Sequence, residues 1–320
     1  MVNQIQVDGI PFSGNYTCCN FSLCLMEQDC VVYVRKQGDT MNVGFIGAGK
    51  VGFTLGKFFT QGGIPVTGYY SRHGESAKEA ALFTGTKQYD KIEKLVYESD
   101  AIFLTVPDVG ISSLFEEIKE LEIAGKQICH CSGAMTAQEA FPGIDKTGVH
   151  GYSIHPLFPI SSKFDAYREL PGAFFCLEGI GPHLNDWAQR FNTLGCPVRM
   201  IAAESKVKYH AACAISSNLI CALVEESLEL LADCGFSPAE ALSALTPLLR
   251  SNLKHMLAEG PVSSLTGPIE RNDVATVKKH LSCLQSPDDQ ALYRAVSKKL
   301  VQVAELKNPE RSYKELKKLL

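Results

Sequence analysis

The run Asn42-Val43-Gly44-Phe45-Ile46-Gly47-Ala48-Gly49-Lys50-Val51-Gly52 constrains this chain more than any other stretch. It reads as a short buried strand, a glycine turn and an amphipathic helix carrying Leu55, Phe58 and Phe59. Each glycine has its own duty in such a unit. Gly47 permits the tight turn, Gly49 lets a pyrophosphate approach the backbone, and Gly52 lets the helix pack closely on the strand. The helix amino terminus, with Lys50 and Val51 in its first turn, then faces the phosphates. A bare glycine pattern is a weak signal, but between a strand and a helix it points to a dinucleotide.

The next strand, ending at Tyr70, says which dinucleotide. An NAD-type site places an acidic residue about 20 positions past the glycines, on the ribose hydroxyls. No acid occurs here between Gly47 and Arg72, and the first is Glu75. Ser71 and Arg72 supply a hydroxyl and a guanidinium fork instead, which suit a 2′-phosphate. The expected cofactor is therefore NADP rather than NAD.

The chain has 320 residues, 45% hydrophobic and 21% charged, as expected of an ordinary globular protein, and its length favours two domains. A net charge of −4 gives no electrostatic footprint for nucleic acid. No apolar run approaches the roughly 20 residues of a membrane helix. The twelve cysteines include Cys176, Cys213, Cys221, Cys234 and Cys283, each alone in an apolar segment. They read as small buried thiols of a cytoplasmic protein rather than a disulfide framework.

Residues 1–40 look foreign to the remainder. They hold Cys18, Cys19, Cys24 and Cys30 at spacings that fit no zinc pattern, and no structural period runs through them. The expectation is an extension outside the fold, with the functional protein starting at Met41. The sequons at Asn15 and Asn20 are then chance matches.

From Met41 strands and helices alternate. Strands are expected at 42–46, 65–70, 101–106, 126–130, 148–153, 172–177 and 197–201. Helices are expected near 50–61, 75–83, 90–98, 111–121 and 181–194. Such alternation implies an α/β, doubly wound, mainly parallel Rossmann sheet over 41–202. Beyond it, 203–320 reads as all-helical, with stretches near 205–234, 238–258, 272–285, 287–305 and 309–319. Ser237-Pro238-Ala239-Glu240 supplies a helix start, with serine as cap, proline in the first turn and glutamate three residues on.

Several strand ends carry candidate chemistry on the ligand edge of such a sheet. Val106-Pro107-Asp108 turns the chain beneath the expected nicotinamide ribose. Ser132 and the Gly133 amide follow Cys129-His130-Cys131 and offer hydrogen-bond donors to a nicotinamide or a substrate. A metal held by Cys129, His130 and Cys131 is awkward, because His130 opposes the two thiols on the strand. His155 precedes Pro156, which holds it extended, and it is a candidate acid/base or orienting group.

In the long helix, at about 100° per residue, Lys206, His210, Ala214, Ser217 and Cys221 form one stripe. Ala212, Ile215, Leu219, Ala222 and Leu223 form the apolar back expected to anchor it. The stripe is small and mildly polar, which suits a ligand or another domain. It makes His210 and Ser217 substrate-site candidates, with a buried interhelical hydrogen-bond pair as the structural alternative. Farther on, Thr266-Gly267-Pro268 is a rigid turn before a helix capped by Asn272 or Asp273. Arg271 either clamps a carboxylate or pairs with Asp273.

These motifs together resemble a family of Rossmann-like NADP oxidoreductases with a C-terminal domain of unknown function. The glycine turn, Ser71-Arg72, Val106-Pro107-Asp108, His130-x-Ser132-Gly133, His155-Pro156-Leu157, Tyr209-His210-Ala211-Ala212, Ser217-Asn218 and Thr266-Gly267-Pro268-x-x-Arg271-x-Asp273 carry the likeness. The family is related to pyrroline-5-carboxylate reductases and to F420-dependent NADP oxidoreductases. The resemblance implies a Rossmann domain followed by an all-helical, 6-phosphogluconate-dehydrogenase-like domain that dimerises, with the active site between them. One departure stands out. Hydroxyacid dehydrogenases of similar build carry a catalytic lysine with asparagine four residues on, whereas here Lys206 is followed at that spacing by His210.

The leading expectation is an NADP(H)-dependent oxidoreductase moving hydride to or from a small C=N or C=O substrate. His210, with Ser217 or His155, would handle the proton, and Arg271 would hold an acidic group. The alternatives are a non-catalytic NADP-binding sensor and hydride exchange with a deazaflavin.

Overall fold

A computed structural model describes residues 6–7, 10–11 and 41–320 of the chain. Gln6–Val7 and Ile10–Pro11 pair as two antiparallel strands. The expectations for Met1 to Thr40 as an extension, and for its cysteines and sequons, otherwise lie outside the described residues.

Within 41–320 one sheet has eight strands, β1 (Val43–Ile46), β2 (Val66–Tyr70), β3 (Lys87–Gln88), β4 (Ala101–Leu104), β5 (Gln127–His130), β6 (His150–Pro156), β7 (Phe175–Ile180) and β8 (Val198–Met200). Their spatial order is β8-β7-β6-β5-β4-β1-β2-β3. Every neighbouring pair is parallel except β6 and β7, which run antiparallel. The order 3-2-1-4-5 of the first five strands is that of a dinucleotide-binding sheet, with its ligand crevice where the direction of winding changes, between β1 and β4.

The period of two along the strands builds a core on each face. Val43, Phe45, Phe103 and Cys129 pack with Phe53, Phe59, Trp187 and Phe191 of α1 (Lys50–Gln61) and α6 (Leu184–Thr193). Ile46, Ile102, Leu104 and Ile128 pack on the opposite side with Leu95 of α3 (Ile92–Glu98), Phe115 of α4 (Ile111–Ile118) and Ala137 of α5 (Ala137–Ala140), α2 (Gly74–Thr84) lying with the first core. Two elements escape the sequence pattern, the two-residue β3 and the four-residue α5, because neither is long enough to show a period. β6 and β7 also continue past their expected ends, since each finds an antiparallel partner in the other.

The chain divides into two compact units, one reaching to Cys213 and one from Ala214 to Leu320. The division falls inside α7 (Lys206–Ser216), whereas the change from strand to helix in the sequence falls at 203. The single helix expected over 205–234 is two helices, because Ser217 adopts φ −128° and ψ −80° before α8 (Asn218–Asp233). Helix α9 (Pro238–Ser264) starts as expected, with Ser237 and Glu240 capping each other, and bends at Gly260. The second unit's core comes from α10 (Val274–Cys283), α11 (Pro287–Lys307) and α12 (Lys314–Leu319) through Val277, Leu281, Val301 and Leu316.

Three expectations are corrected here. The supposed anchoring back of the long helix is exposed: Ile215 is 61% and Leu219 53% accessible. Of the thiols read as buried, Cys221, Cys234 and Cys283 are exposed, and only Cys176 is fully buried, with Cys213 intermediate. The stretch Ala203–Asp233, with mean hydropathy 1.3 in its most apolar window, is by length and composition alone apolar enough to cross a membrane. Glu204, Lys206 and Lys208 on one side and Glu225, Glu226, Glu229 and Asp233 on the other leave 209–224 as its longest uncharged run.

Candidate functional site

The glycine turn joins β1 to α1 at the carboxyl edge of the sheet. Gly47 has φ +108°, and a Cβ there would stand 2.6 Å from the Thr105 carbonyl oxygen. A Cβ on Gly52 would lie 2.6 Å from the Gly47 carbonyl oxygen. Packing therefore excludes side chains at both positions. Nothing inside the protein excludes one at Gly49, where the nearest atom would be 3.9 Å away. Gly49 is the exposed N-cap of α1, and no side chain caps that helix. An approaching ligand gives a reason for glycine there. The residues thus fit the pyrophosphate of a dinucleotide, with Lys50 and Val51 opening the helix.

Ser71 and Arg72 follow β2 directly. The Gly47 amide donates to the Tyr70 carbonyl at 2.8 Å, so the ends of β1 and β2 lie side by side. Arg72 is exposed and Ser71 half-buried. After β4, Val106 is half-buried, and Pro107 and Asp108 are exposed.

Ser132, after β5, is a fastening point. Its hydroxyl donates to Asp108 Oδ2 at 2.6 Å and accepts from the Met135 amide at 3.1 Å. Its amide donates to His130 Nδ1 at 3.2 Å. Its carbonyl accepts from Lys206 Nζ at 3.0 Å and from Ser153 Oγ at 3.3 Å. The Ser132 hydroxyl, expected to serve a ligand, is here engaged with Asp108. His130 is fully buried, and burial holds it down at about 3.

At β6 and β7 the second face of the sheet turns polar. Antiparallel register places Ser153 opposite Glu178 and His155 opposite Cys176, with side chains of each pair on one face. Helix α7 covers this patch with Lys206, Tyr209, His210 and Cys213, which follow the spacing i, i+3, i+4, i+7. Lys206 is fully buried; desolvation lowers its pKa against the opposing pull of Glu178 first. Burial raises Glu178, whose Oε2 accepts from the Ala137 amide at the start of α5, 2.8 Å away.

His155 is the centre of the group. Its Nδ1 is 2.7 Å from the Tyr209 hydroxyl, and its ring meets that of His210 edge to face with centroids 6.1 Å apart. A Cβ on Gly133 would fall 2.4 Å from His210 Cδ2 and 2.8 Å from His155 Nε2. Gly133 is therefore glycine because two imidazoles crowd it. Burial first, then the Lys206 and His210 charges, push His155 down to about 4. It is neutral at physiological pH.

His155, His210, Ser132 and Gly133 are thus brought together. Ser217 and Arg271 belong to the second unit, and both are exposed. Ser217 interrupts the helix instead of continuing the stripe, and its hydroxyl donates to Asn218 Oδ1 at 3.0 Å. Asp273 caps α10 by accepting from the Thr276 amide at 3.0 Å. Asn272, at φ +60°, is not the cap. Tyr209, Lys206, Cys176 and Glu178 were missed as members of the site. The signal for the two on α7 was the shorter spacing of 206, 209, 210 and 213.

Residues 28–156 match the Rossmann-like domain family, and residues 173–300 match a domain of unknown function, DUF2520. The class is thus a Rossmann-like two-domain protein. The chain carries a Rossmann-like domain followed by a match to DUF2520. Among curated proteins none matches the sequence. The fold is shared with a Thermotoga maritima protein at 24% identity and TM-score 0.65, over 82% of this chain and 98% of that one. A provisionally assigned NADP oxidoreductase from Bacteroides fragilis aligns at 20% identity and TM-score 0.63, over 82% and 98%. A reductive aminase from Aspergillus terreus, solved with NADPH4, cyclohexanone and allyl amine, aligns at 14% identity and TM-score 0.59, over 85% and 100%.

Proposed function

We propose that the chain is an NADP(H)-dependent oxidoreductase acting on a small C=N or C=O compound. One observation carries this reading: the Gly47–Gly52 turn and the His155–Tyr209–His210 group stand on the same carboxyl edge of one sheet, at the ends of β1 and β6. The reductive aminase and the provisionally assigned NADP oxidoreductase among the structural neighbours support the same chemistry.

Gly47, Gly49, Lys50, Val51 and Gly52 hold the pyrophosphate, and Ser71 and Arg72 hold the 2′-phosphate. Val106, Pro107 and Gly133 border the nicotinamide side, where Ser132 keeps the loop in place. A bound nicotinamide coenzyme supplies or takes up the hydride. His155 and His210 supply hydrogen bonds or a proton at the reacting heteroatom. The same reading assigns Ser217 and Arg271 to polar groups of the substrate, and their replacement tests that separately.

The reading includes a homodimer built through the second unit. Leu219, Leu223, Leu242, Leu248, Met256 and Leu257 are all exposed, and exposed apolar side chains that gather in one patch mark interaction surfaces. A second copy covers them in this account. The free thiols suit a reducing, cytoplasmic setting.

Calorimetry with NADPH and NADH tests the coenzyme, and NADPH oxidation over a panel of imines, keto acids and aldehydes tests the chemistry. His210→Ala is expected to abolish turnover while leaving NADPH affinity nearly intact. Tight NADPH binding with no turnover of any member would leave a non-catalytic dinucleotide-binding protein. Sedimentation of the purified chain as a monomer would remove the dimer.

A further inference from the structure

The face of the β6–β7 ladder that carries His155 continues beyond it. Side chains alternate between the two faces of a strand, so Ser153, His155 and Leu157 share one face. Opposite them stand Glu178, Cys176 and Phe174. The first two pairs are set by the ladder's register. The third extends it, because the Leu157 amide donates to the Phe174 carbonyl at 2.8 Å. Toward the carboxyl end of β6 the face changes character pair by pair. Ser153 and Glu178 are buried, and His155 is half-buried across from a buried Cys176. Leu157 and Phe174 are 45% and 50% exposed.

A strand end in water is served as well by polar side chains, so the ladder gives no reason for a leucine and a phenylalanine there. Their place gives one. Same-face neighbours on a strand stand roughly 7 Å apart, which puts Leu157 one step from His155. The imidazole of His155 binds the Tyr209 hydroxyl through Nδ1 and turns Nε2 toward Gly133, beside His210. Ligand sites combine a few convergent polar groups with apolar walls. Here the polar groups are the two imidazoles and the phenol, and the apolar pair is the next step along the same face. Strands β1, β4, β5 and β6 run parallel, so this step lies on the sheet edge that also holds the glycine turn.

We propose that Leu157 and Phe174 are specificity-determining residues that receive the apolar substituent of the compound whose polar group meets His155. The proposal rests on the oxidoreductase reading and narrows it: the substrate carries an alkyl or aryl group beside its reacting C=N or C=O. The reacting end is held by hydrogen bonds, and the other end is drawn out of water against the exposed pair. Each methylene so buried raises affinity by about 4-fold.

The test is calorimetry with straight-chain primary amides, from butanamide to octanamide, with and without NADPH. These probes carry the carbonyl and are not reduced, so the outcome does not depend on turnover. In the wild type, affinity is expected to climb by about 4-fold per methylene until the apolar pair is covered. In the double variant Leu157→Ser with Phe174→Ser the climb falls below about 2-fold per methylene. NADPH affinity stays the same in that variant, which also reports that it is folded. Leu157→Met with Phe174→Leu keeps an apolar surface and keeps the climb. Wild-type affinity independent of chain length, or a climb that survives the double serine change, would overturn the proposal. So would a wild-type dimer that turns monomeric on the double serine change, because a second copy would then be what covers the pair. Loss of the oxidoreductase reading has a separate signature, with no NADPH binding and no turnover whatever the amides do.

Discussion

The ammonium of Lys206 donates to the carbonyl oxygen of Ser132 across 3.0 Å, with no part of the side chain open to solvent. This bond ties α7 to the loop after β5, and it places a positive charge beside His130 and His155, lowering both.

Lys206→Met removes that charge while keeping the bulk of the stem, and Ser153 still serves the Ser132 carbonyl. Removing one member of a buried pair of opposite charges leaves Glu178 uncompensated, so the midpoint of urea unfolding is expected to fall. The His155 titration moves up toward its ordinary value of 6.5. Proton NMR of the imidazole signals follows the shift; an unmoved His155 would show that the charge does not reach it.

Gly133→Ala introduces a methyl into space held by His155 and His210. The rings must separate, and misplacement by about 1 Å costs on the order of 100-fold in rate. NADPH affinity, measured by calorimetry, is expected to change far less than kcat. A variant with full activity would separate these imidazoles from the reaction.

Arg72→Ala removes the guanidinium at the end of β2. A charge-assisted hydrogen bond contributes about 1.5–3 kcal/mol, so NADPH affinity is expected to fall by roughly 10- to 100-fold. NADH affinity stays the same, because that coenzyme lacks the 2′-phosphate. Parallel titrations with the two coenzymes distinguish this from a general loss of binding.

Stability depends on pH through the two buried histidines. In the unfolded chain both titrate near 6.5, whereas in the folded protein His130 is held at about 3 and His155 at about 4. Between these values the unfolded state binds more protons, so stability rises with pH. It is complete above about 6.5 and declines as the solution is acidified toward 3–4. Each group contributes a slope of at most about 1.4 kcal/mol per pH unit in that window. Urea unfolding from pH 7 to pH 5 should show the decline, and His130→Asn should flatten it. Equal slopes in the two proteins would remove His130 as a source.

Local chemistry made the nucleotide half readable. The glycine run, the missing acid before Arg72, the alternation of strands and helices, and the Ser237 cap all express short-range rules that act within a few residues. They led directly to a mainly parallel, doubly wound sheet with a glycine turn at its ligand edge. The helical half was read one helix short, because α7 and α8 were taken as one, and poorly in its faces. A helix drawn through Ser217 keeps its angular phase, whereas a break resets it, and α7 and α8 are such a pair.

From its residues alone, then, this chain declares a strand–glycine–helix unit and the coenzyme class that unit fits, because turn geometry and helix amides act at close range. The partners of Lys206, Tyr209, Cys176 and Glu178 became known only with the folded molecule. An antiparallel ladder aligned Ser153 with Glu178 and His155 with Cys176, and a helix from the far end of the domain came down on them. Such contacts arise from long-range packing, and nothing in the spacing of residues along the chain encodes which face will meet which.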